Sequence, residues 1–372
     1  MRANAVSSPI SYERNNIRIN MYEENAKIQF DELKNKPDAI ILGIESSCDE
    51  TAAAVVRGGR EVLSNVIASQ IEIHRRFGGV VPEVASRNHT LALPNIIDQA
   101  LKEAGVTASD LDGVAVTFGA GLIGALLVGV SAAKAYAYAI NKPLIAVNHI
   151  EAHVSANFIA DKTLEPPFCA LVASGGHTLL LDIKGYNEFE KLGGTLDDAL
   201  GEAFDKVARV LSLPYPGGPN VEKLAKEGKP NIKLYKHPKG VRQDLSVSYS
   251  GLKTAVVNYV HTLEQRGEPV PVADVCASFT SEAVGLLAKT AAECVRRSGR
   301  SLLALAGGVA SNGDLRAALK AEGAANGFSV CYPPHVLCTD NAAMVASRAY
   351  FTAREGKGLA GLDLNAKSHV AF

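Results

Sequence analysis

The sequence predicts an α/β protein of two pseudo-symmetric lobes with a cleft between them. Two observations carry this. Short buried strands alternate with helical patterns, which is the signature of a largely parallel sheet covered by helices. A strand–polar turn–strand unit at Leu42–Val56 then recurs in layout, though not in residue identity, at Phe168–Ile183. The expected domains are a polar extension over 1–36, an N-terminal lobe over 37–165 and a C-terminal lobe over 166–372. The last helix is free to pack back on the first lobe.

The first 36 residues mix Glu13, Glu23, Glu24, Asp31 and Glu32 with Arg and Asn. A transit peptide is poor in acids, so a mobile extension is expected, with weak helical character from Met21 to Leu33. The folded part begins near Pro37. Ala39–Ile44 is a buried strand, Glu45–Glu50 a polar turn, Thr51–Val56 a returning strand and Glu61–Ala68 a third. A turn carrying hydroxyls, a thiol and acids can face a phosphate through backbone N–H groups or hold a cation through Asp49. It equally fits a solvated hairpin loop. Helical period follows from Pro82 through Ala104. Gly113–Thr117 is a strand and Gly119–Ile140 an apolar helix. That run carries four glycines and Lys134 and ends in the turn Asn141-Lys142-Pro143, so it reads as a packed helix rather than a membrane span.

The strand Leu144–Val147 leads into His149-Ile150-Glu151-Ala152-His153, with Asn148 as helix cap. Residues four apart share a helix face, so the two imidazoles can converge on one metal ion. Two ordinary histidines of a half-buried helix fit the pattern as well. A zinc protease needs its glutamate directly after the first histidine. Glu151 comes one place later, about 200° around the helix from His149, away from the metal face.

The second half repeats the plan. Phe168–Val172 is a strand, Ala173–Thr178 a glycine turn, Leu179–Ile183 the return, and Leu196–Leu211 an amphipathic helix. Asn231–Tyr249 is basic, with Lys233, Lys236, Lys239 and Arg242 among Tyr235, His237 and Tyr249, a mix that suits a nucleic-acid strand or a solvated loop. The strand Ser301–Ala306 runs into Gly307–Gly313, a glycine turn of the kind that offers N–H groups to a nucleotide. Thr339-Asp340-Asn341 starts the last helix, Ala342–Arg354. Asp340 is either its cap or a third, oxygen ligand for the histidine pair.

A net charge of −1 announces no nucleic-acid partner by bulk charge, so one would need local patches or a helper protein. Six cysteines without a C-x-x-C pair fit a reducing cytosol. The 47% hydrophobic content is enough for two substantial cores.

Taken in order, several motifs closely resemble the TsaD family, the tRNA adenosine threonylcarbamoyltransferases once described as sialoglycoproteases. They are Ile44–Thr51, His149-x-x-x-His153, Ser174-Gly175-Gly176-His177-Thr178, Gly201–Lys206, Tyr215–Pro219, Ser250-Gly251-Leu252-Lys253-Thr254, Gly307–Asn312 and Thr339–Asn341. The resemblance runs from about Ala39 to the last helix, and the Ser-Gly-Leu-Lys-Thr stretch looks bacterial. It implies an actin/sugar-kinase/Hsp70-like fold around a nucleotide cleft. It also implies transfer of a threonylcarbamoyl group from L-threonylcarbamoyl-adenylate to N6 of adenosine 37 in tRNAs reading codons that begin with A, with AMP leaving. By the same resemblance, His149, His153 and Asp340 hold one divalent metal ion per subunit, iron in the first place, with zinc or magnesium as alternatives. Val172, Ala173, Ser174, Gly175, Gly176, Asp205, Gly218, Glu222 and Asn312 would contact substrate, and Asp49 and Glu50 would form a catalytic or ion-positioning pair.

The implied setting is cytoplasmic, with no membrane. The implied partners are tRNA, a TsaB-like paralogue and a TsaE-like ATPase, and a TsaC-like synthase would supply the donor. Gly119-Ala120-Gly121 departs from the family's Gly-Pro-Gly, and the extension has no counterpart in the pattern. Two alternatives stand beside this one. A small-molecule kinase of the same fold leaves the histidine pair unexplained, and a non-catalytic partner subunit would have no use for the His149/His153/Asp340 set.

Overall fold

The computed structural model describes residues 9–235 and 240–370, with side chains of the first helix described from residue 18. Lys236, His237 and Lys239 of the basic stretch lie outside the described residues.

Two six-stranded sheets organise the described chain. The first is built from β1 (Ile40–Glu45), β2 (Glu50–Arg57), β3 (Glu61–Ser69), β4 (Gly113–Gly119) and β5 (Leu144–Asn148). The second uses β6 (Phe168–Ala173), β7 (Thr178–Gly185), β8 (Glu188–Thr195), β9 (Ser246–Val247), β10 (Leu302–Ala306) and β11 (Ser329–Cys331). Strand β12 (Leu359–Ala360) returns to the edge of the first sheet. The orders are β12-β5-β4-β1-β2-β3 and β11-β10-β6-β7-β8-β9. In each sheet an antiparallel meander of three strands joins a parallel run: β1 pairs with β2 and β4 as β6 pairs with β7 and β10. The repeated unit read from the sequence is therefore the centre of each lobe.

Strands β1, β2, β4 and β6 are almost wholly buried because helices cover both of their faces. Helix Ala342–Arg354 packs across β1 and β2 of the first sheet and against helix His149–Ala160. It crosses β1 so closely that a Cβ built on Gly43 would stand 2.3 Å from the carbonyl oxygen of Ala342. Parallel connections bring the carboxyl ends of β1, β5, β6 and β10 to the cleft, the usual ligand side of such sheets.

Two expectations change. The N-terminal extension, read as mobile, contains the helix Pro9–Leu33. Tyr22, Ala26, Phe30 and Leu33 recur every three or four residues and are buried, and Tyr22 donates to the carbonyl of Lys142. The stripe is one residue wide in an otherwise polar helix, so average polarity hid it. The apolar helix begins at Ile123 rather than Gly119, because Gly119 ends β4 and residues 120–122 form a loop tied to Ser47 and to the C-terminal tail. This is the one described helix long and apolar enough to cross a membrane. Ala125, Leu126, Gly129, Val130, Ala133 and Ala137 bury one face of it against β4 and the helix Pro82–Ala104.

Candidate functional site

The sequence places His149 and His153 at the start of the helix that leaves β5. Asn148 caps it by accepting a hydrogen bond from the Ile150 N–H. The rings sit 4.6 Å apart between centroids. Asp340 arrives from the other direction, one residue before Asn341, which caps the last helix through the Met344 N–H. Its Oδ1 is 3.2 Å from His153 Nε2 and 3.6 Å from His149 Nε2. Ligand atoms of all three side chains lie within 4.8 Å of one another. Asp340 is thus beside the histidines, which sequence spacing alone left open.

Glu45, the last residue of β1, is a member of this site that the sequence reading passed over. It is fully buried. Its Oε2 accepts from the Thr117 hydroxyl at 2.6 Å and lies 3.2 Å from His149 Nδ1. Its Oε1 accepts from the Ser47 N–H. A carboxylate on the far nitrogen of a metal-facing imidazole fixes its tautomer and orientation. The signal available was an acid ending an otherwise apolar buried strand.

The electrostatics are consistent with a cation. Burial pulls His149 down, but the carboxylates of Asp340 and Glu45 outweigh it and raise its pKa. Burial and then the His149 charge lower His153. Asp340 is held low despite burial, chiefly by the charge on His149. Both ring nitrogens of His153 are buried; Nδ1 has no partner, and Nε2 has only the Asp340 carboxylate, 3.2 Å away. A buried imidazole so under-partnered, beside a second imidazole and a carboxylate, fits a metal ion. The donor set suits iron or zinc, whereas magnesium prefers oxygen ligands and fits it least.

Around this centre lie the other predicted residues. Asp49 accepts from the Tyr215 hydroxyl at 3.2 Å, which bridges the two lobes across the cleft. Burial first, and then the charge of Asp340, raise its pKa. Glu50 Oε1 accepts from Ser69, while its Oε2 is buried without a partner. Burial, with the neighbouring Asp49 charge, pushes Glu50 up to about 8. In the unfolded chain the group titrates near its ordinary 4.5. Between those values the folded state binds more protons, so its stability is greatest below about pH 4.5 and falls as pH rises through about 8. Glu50→Gln removes that loss. Its stability relative to wild type should be higher at pH 8.5 than at pH 5, by about 4 kcal/mol. Equal differences at both pH values would show that Glu50 is not buried as described.

On the second lobe, Val172 and Ala173 lie in β6, Val172 paired with Ala306 and Leu179 and Ala173 with Thr178, with fully buried side chains. Only their backbone can serve a ligand. Ser174 closes the β6–β7 turn, donating its N–H to the His177 carbonyl and accepting the His177 N–H on its hydroxyl. A Cβ on Gly175 or Gly176 would meet nothing within 4 Å, so the protein itself does not fill the space above this turn. Gly307, at φ +88°, is required instead by packing, because a Cβ there would stand 2.4 Å from the Ala173 carbonyl oxygen. Asp205 accepts the Gly217 N–H at 2.7 Å, which holds the loop before Gly218 against the helix Leu200–Val210, and burial raises its pKa. Glu222 accepts from the Asn312 side chain at 3.1 Å and from the Gly313 N–H at 3.0 Å. Asn312 also caps the helix Gly313–Asn326 through the Leu315 N–H.

Two groups therefore emerge: the metal-type centre with Glu45, and a polar rim of Asp205, Gly218, Glu222 and Asn312 around the glycine turns. His177 stands between them, its pKa lowered to about 4 by burial and then by the charges of His149 and His153. With Ala120, Ile150 and His369 it lines a hollow of about 380 Å³.

The family model for TsaD, described as tRNA N6-adenosine threonylcarbamoyltransferase, matches residues 61–347. A tRNA N6-adenosine threonylcarbamoyltransferase of Clostridium perfringens (strain SM101 / Type A) is 54% identical over 333 residues, covering 89% of this chain and 97% of the relative. That of Clostridium beijerinckii is 53% identical over the same length, with the same coverage. Among solved structures, full-length HypF in its phosphate- and nucleotide-bound form is similar with a TM-score of 0.58 and 15% identity, over 87% of this chain and 48% of that one. HypF of T. kodakarensis is similar at 0.58 and 16%, over 88% and 49%. At such identity the likeness shows the fold alone, the two-lobed actin/sugar-kinase-like fold. The relatives, at more than half identity over nearly their whole length, show more: the chain belongs to the TsaD family of tRNA N6-adenosine threonylcarbamoyltransferases, enzymes that modify tRNA.

Proposed function

We propose that this chain transfers the threonylcarbamoyl group of L-threonylcarbamoyl-adenylate to N6 of adenosine 37 in tRNAs reading codons that begin with A, releasing AMP. The observation that carries this reading is one cleft in which His149, His153 and Asp340 converge across from the open Gly175-Gly176 turn. The donor is a mixed anhydride with a good leaving group already in place. The protein's task is then to hold its carbonyl near the incoming amine and to stabilise developing negative charge.

The adenylate half belongs on the second lobe. The backbone of Val172 to Gly176 takes the phosphate side, while Asp205, Gly218, Glu222 and Asn312 take the ribose and base side. A divalent ion held by His149, His153 and Asp340, iron in the first place and zinc as the alternative, supplies Lewis-acid stabilisation of a donor oxygen. Glu45 keeps the His149 ring in the orientation that presents Nε2 to the centre. Asp49 and Glu50 stand ready for the proton that the amine gives up, and a carboxyl near 8 is well matched to a general base at neutral pH.

We place the reaction in the cytoplasm, with a TsaB-like paralogue and a TsaE-like ATPase as partners and a TsaC-like enzyme making the donor. A paralogue partner is supported by the outward face of the helices Pro82–Ala104 and Ile123–Ile140. Leu91, Ile123 and Leu127 are exposed there, near an apolar hollow of about 460 Å³ lined by Ile97, Leu101 and Tyr136. Leu127→Glu should abolish co-elution with the paralogue in size-exclusion chromatography and leave the isolated chain's unfolding temperature unchanged. Retained co-elution would place the partner elsewhere.

The test of the function is reconstitution. Threonine, bicarbonate, ATP, the three partner proteins and an unmodified tRNA are incubated with the chain, and position 37 is read by mass spectrometry of the nucleosides. The expected product is N6-threonylcarbamoyladenosine. Its absence, with a related enzyme working in parallel, would refute the proposal.

A further inference from the structure

We propose that the ion pair between the buried Arg348 and the half-buried Glu151 is a positioning element that holds the three metal-type ligands in register. This rests on the reading of His149, His153 and Asp340 as a metal centre. The ligands come from two chain segments: the helix His149–Ala160 and the turn that starts the helix Ala342–Arg354. Three ligand atoms within 4.8 Å of one another demand that these two helices keep a fixed axial position.

Apolar packing anchors that position chiefly at the end away from the ligands, where the Phe158 and Phe351 rings lie 4.9 Å apart between centroids. Toward the ligands the buried side chains include Ala152 and Ala156 on one helix and Ala342, Ala343 and Ala346 on the other. Such small side chains allow close approach but do little by themselves to fix the ligand ends in register. The direct polar ties between the two helices, among the described residues, are two. Ser347 Oγ reaches the Ser155 carbonyl at a long 3.4 Å and is better paired with the Gly59 carbonyl at 2.6 Å. Arg348 instead places both Nε and a terminal nitrogen 2.7 Å from Glu151 Oε2.

Glu151 sits between the two histidines in sequence, turned away from the metal face, and its partner explains why an acid stands there. Arg348 is 3% exposed. Its remaining donors go to the Tyr186 carbonyl and to Asn187 Oδ1 at 2.6 Å, in the β7–β8 turn of the second lobe. The guanidinium thus fixes the histidine helix, the Asp340 helix and the second lobe at one point. A largely buried pair of this kind adds little net stability over an apolar substitute, because desolvation offsets the attraction. What it supplies is direction: a planar fork that accepts one relative placement of its partners.

The experiment measures metal affinity and stability separately on the full chain. Zinc(II) is titrated against a chromophoric chelator, and cobalt(II) reports ligand geometry through its d–d absorption bands. Glu151→Gln and Arg348→Met should each weaken zinc binding about 10–100-fold and alter the cobalt spectrum, while far-ultraviolet circular dichroism stays that of wild type. The double variant E151Q/R348M should recover the unfolding temperature that R348M loses, since no buried charge is left unpaired, yet keep the weak zinc binding. If R348M does not fold, E151Q, which retains the arginine's contacts to Tyr186 and Asn187, carries the test. Zinc affinity and cobalt bands unchanged in E151Q would overturn the proposal and leave the metal centre standing. Wild type that takes up no zinc would overturn the metal reading and the proposal together.

Discussion

His149→Ala/His153→Ala should reduce tRNA modification by about 10³-fold or more in the reconstituted system. The expected loss is large because the substitutions act twice. They remove two of the three converging ligands. They also leave Glu45 and Asp340, both now ionised because of His149, as acids without a cation in a buried site. Glu45 is fully buried and would have to take up a proton. Circular dichroism and the tRNA-free unfolding curve separate this from simple misfolding. Activity within tenfold of wild type would show that transfer needs no metal at this centre.

Gly43→Ala should be among the most damaging small substitutions away from the site. The added methyl would stand 2.3 Å from the Ala342 carbonyl oxygen and 2.8 Å from the Ala346 nitrogen. Both are backbone atoms of the helix that follows Asp340, so no side-chain rotation relieves the clash. The helix has to lift from β1, which costs about 3 kcal/mol, and Asp340 moves with it. The expected result is a lower denaturant midpoint together with weaker zinc binding. A midpoint within 0.5 kcal/mol of wild type, by the usual linear analysis, would contradict the packing described.

Much of this was legible in the chain because burial on both sheet faces writes itself as uninterrupted apolar runs. Leu144–Val147, Phe168–Val172 and Ser301–Ala306 are read this way, and helix Ala342–Arg354 was bounded correctly, although its cap is Asn341 rather than Asp340. Strand β8 was not, because Glu188, Glu190 and Lys191 leave it with no apolar alternation in its first half. The buried stripe of helix Pro9–Leu33 was hidden by a polar majority. In the site, His149 and His153 are local in sequence and so could be paired by helical spacing, whereas Asp340 lies almost two hundred residues on and needed the fold or the family resemblance. Glu45 was missed because a buried acid looks like part of a polar turn until its partners, Thr117 and His149, are seen around it.

The most direct test of the central claim is a single-turnover reaction with preformed L-threonylcarbamoyl-adenylate and no ATP. The chain, in excess over an unmodified tRNA and accompanied by its partner proteins, is quenched over time, and both AMP and the nucleoside at position 37 are quantified. The account predicts one AMP released per N6-threonylcarbamoyladenosine formed, in wild type but not in the His149→Ala/His153→Ala variant. No modified nucleoside from the preformed donor, or phosphorylation of a small molecule once ATP is supplied, would contradict it.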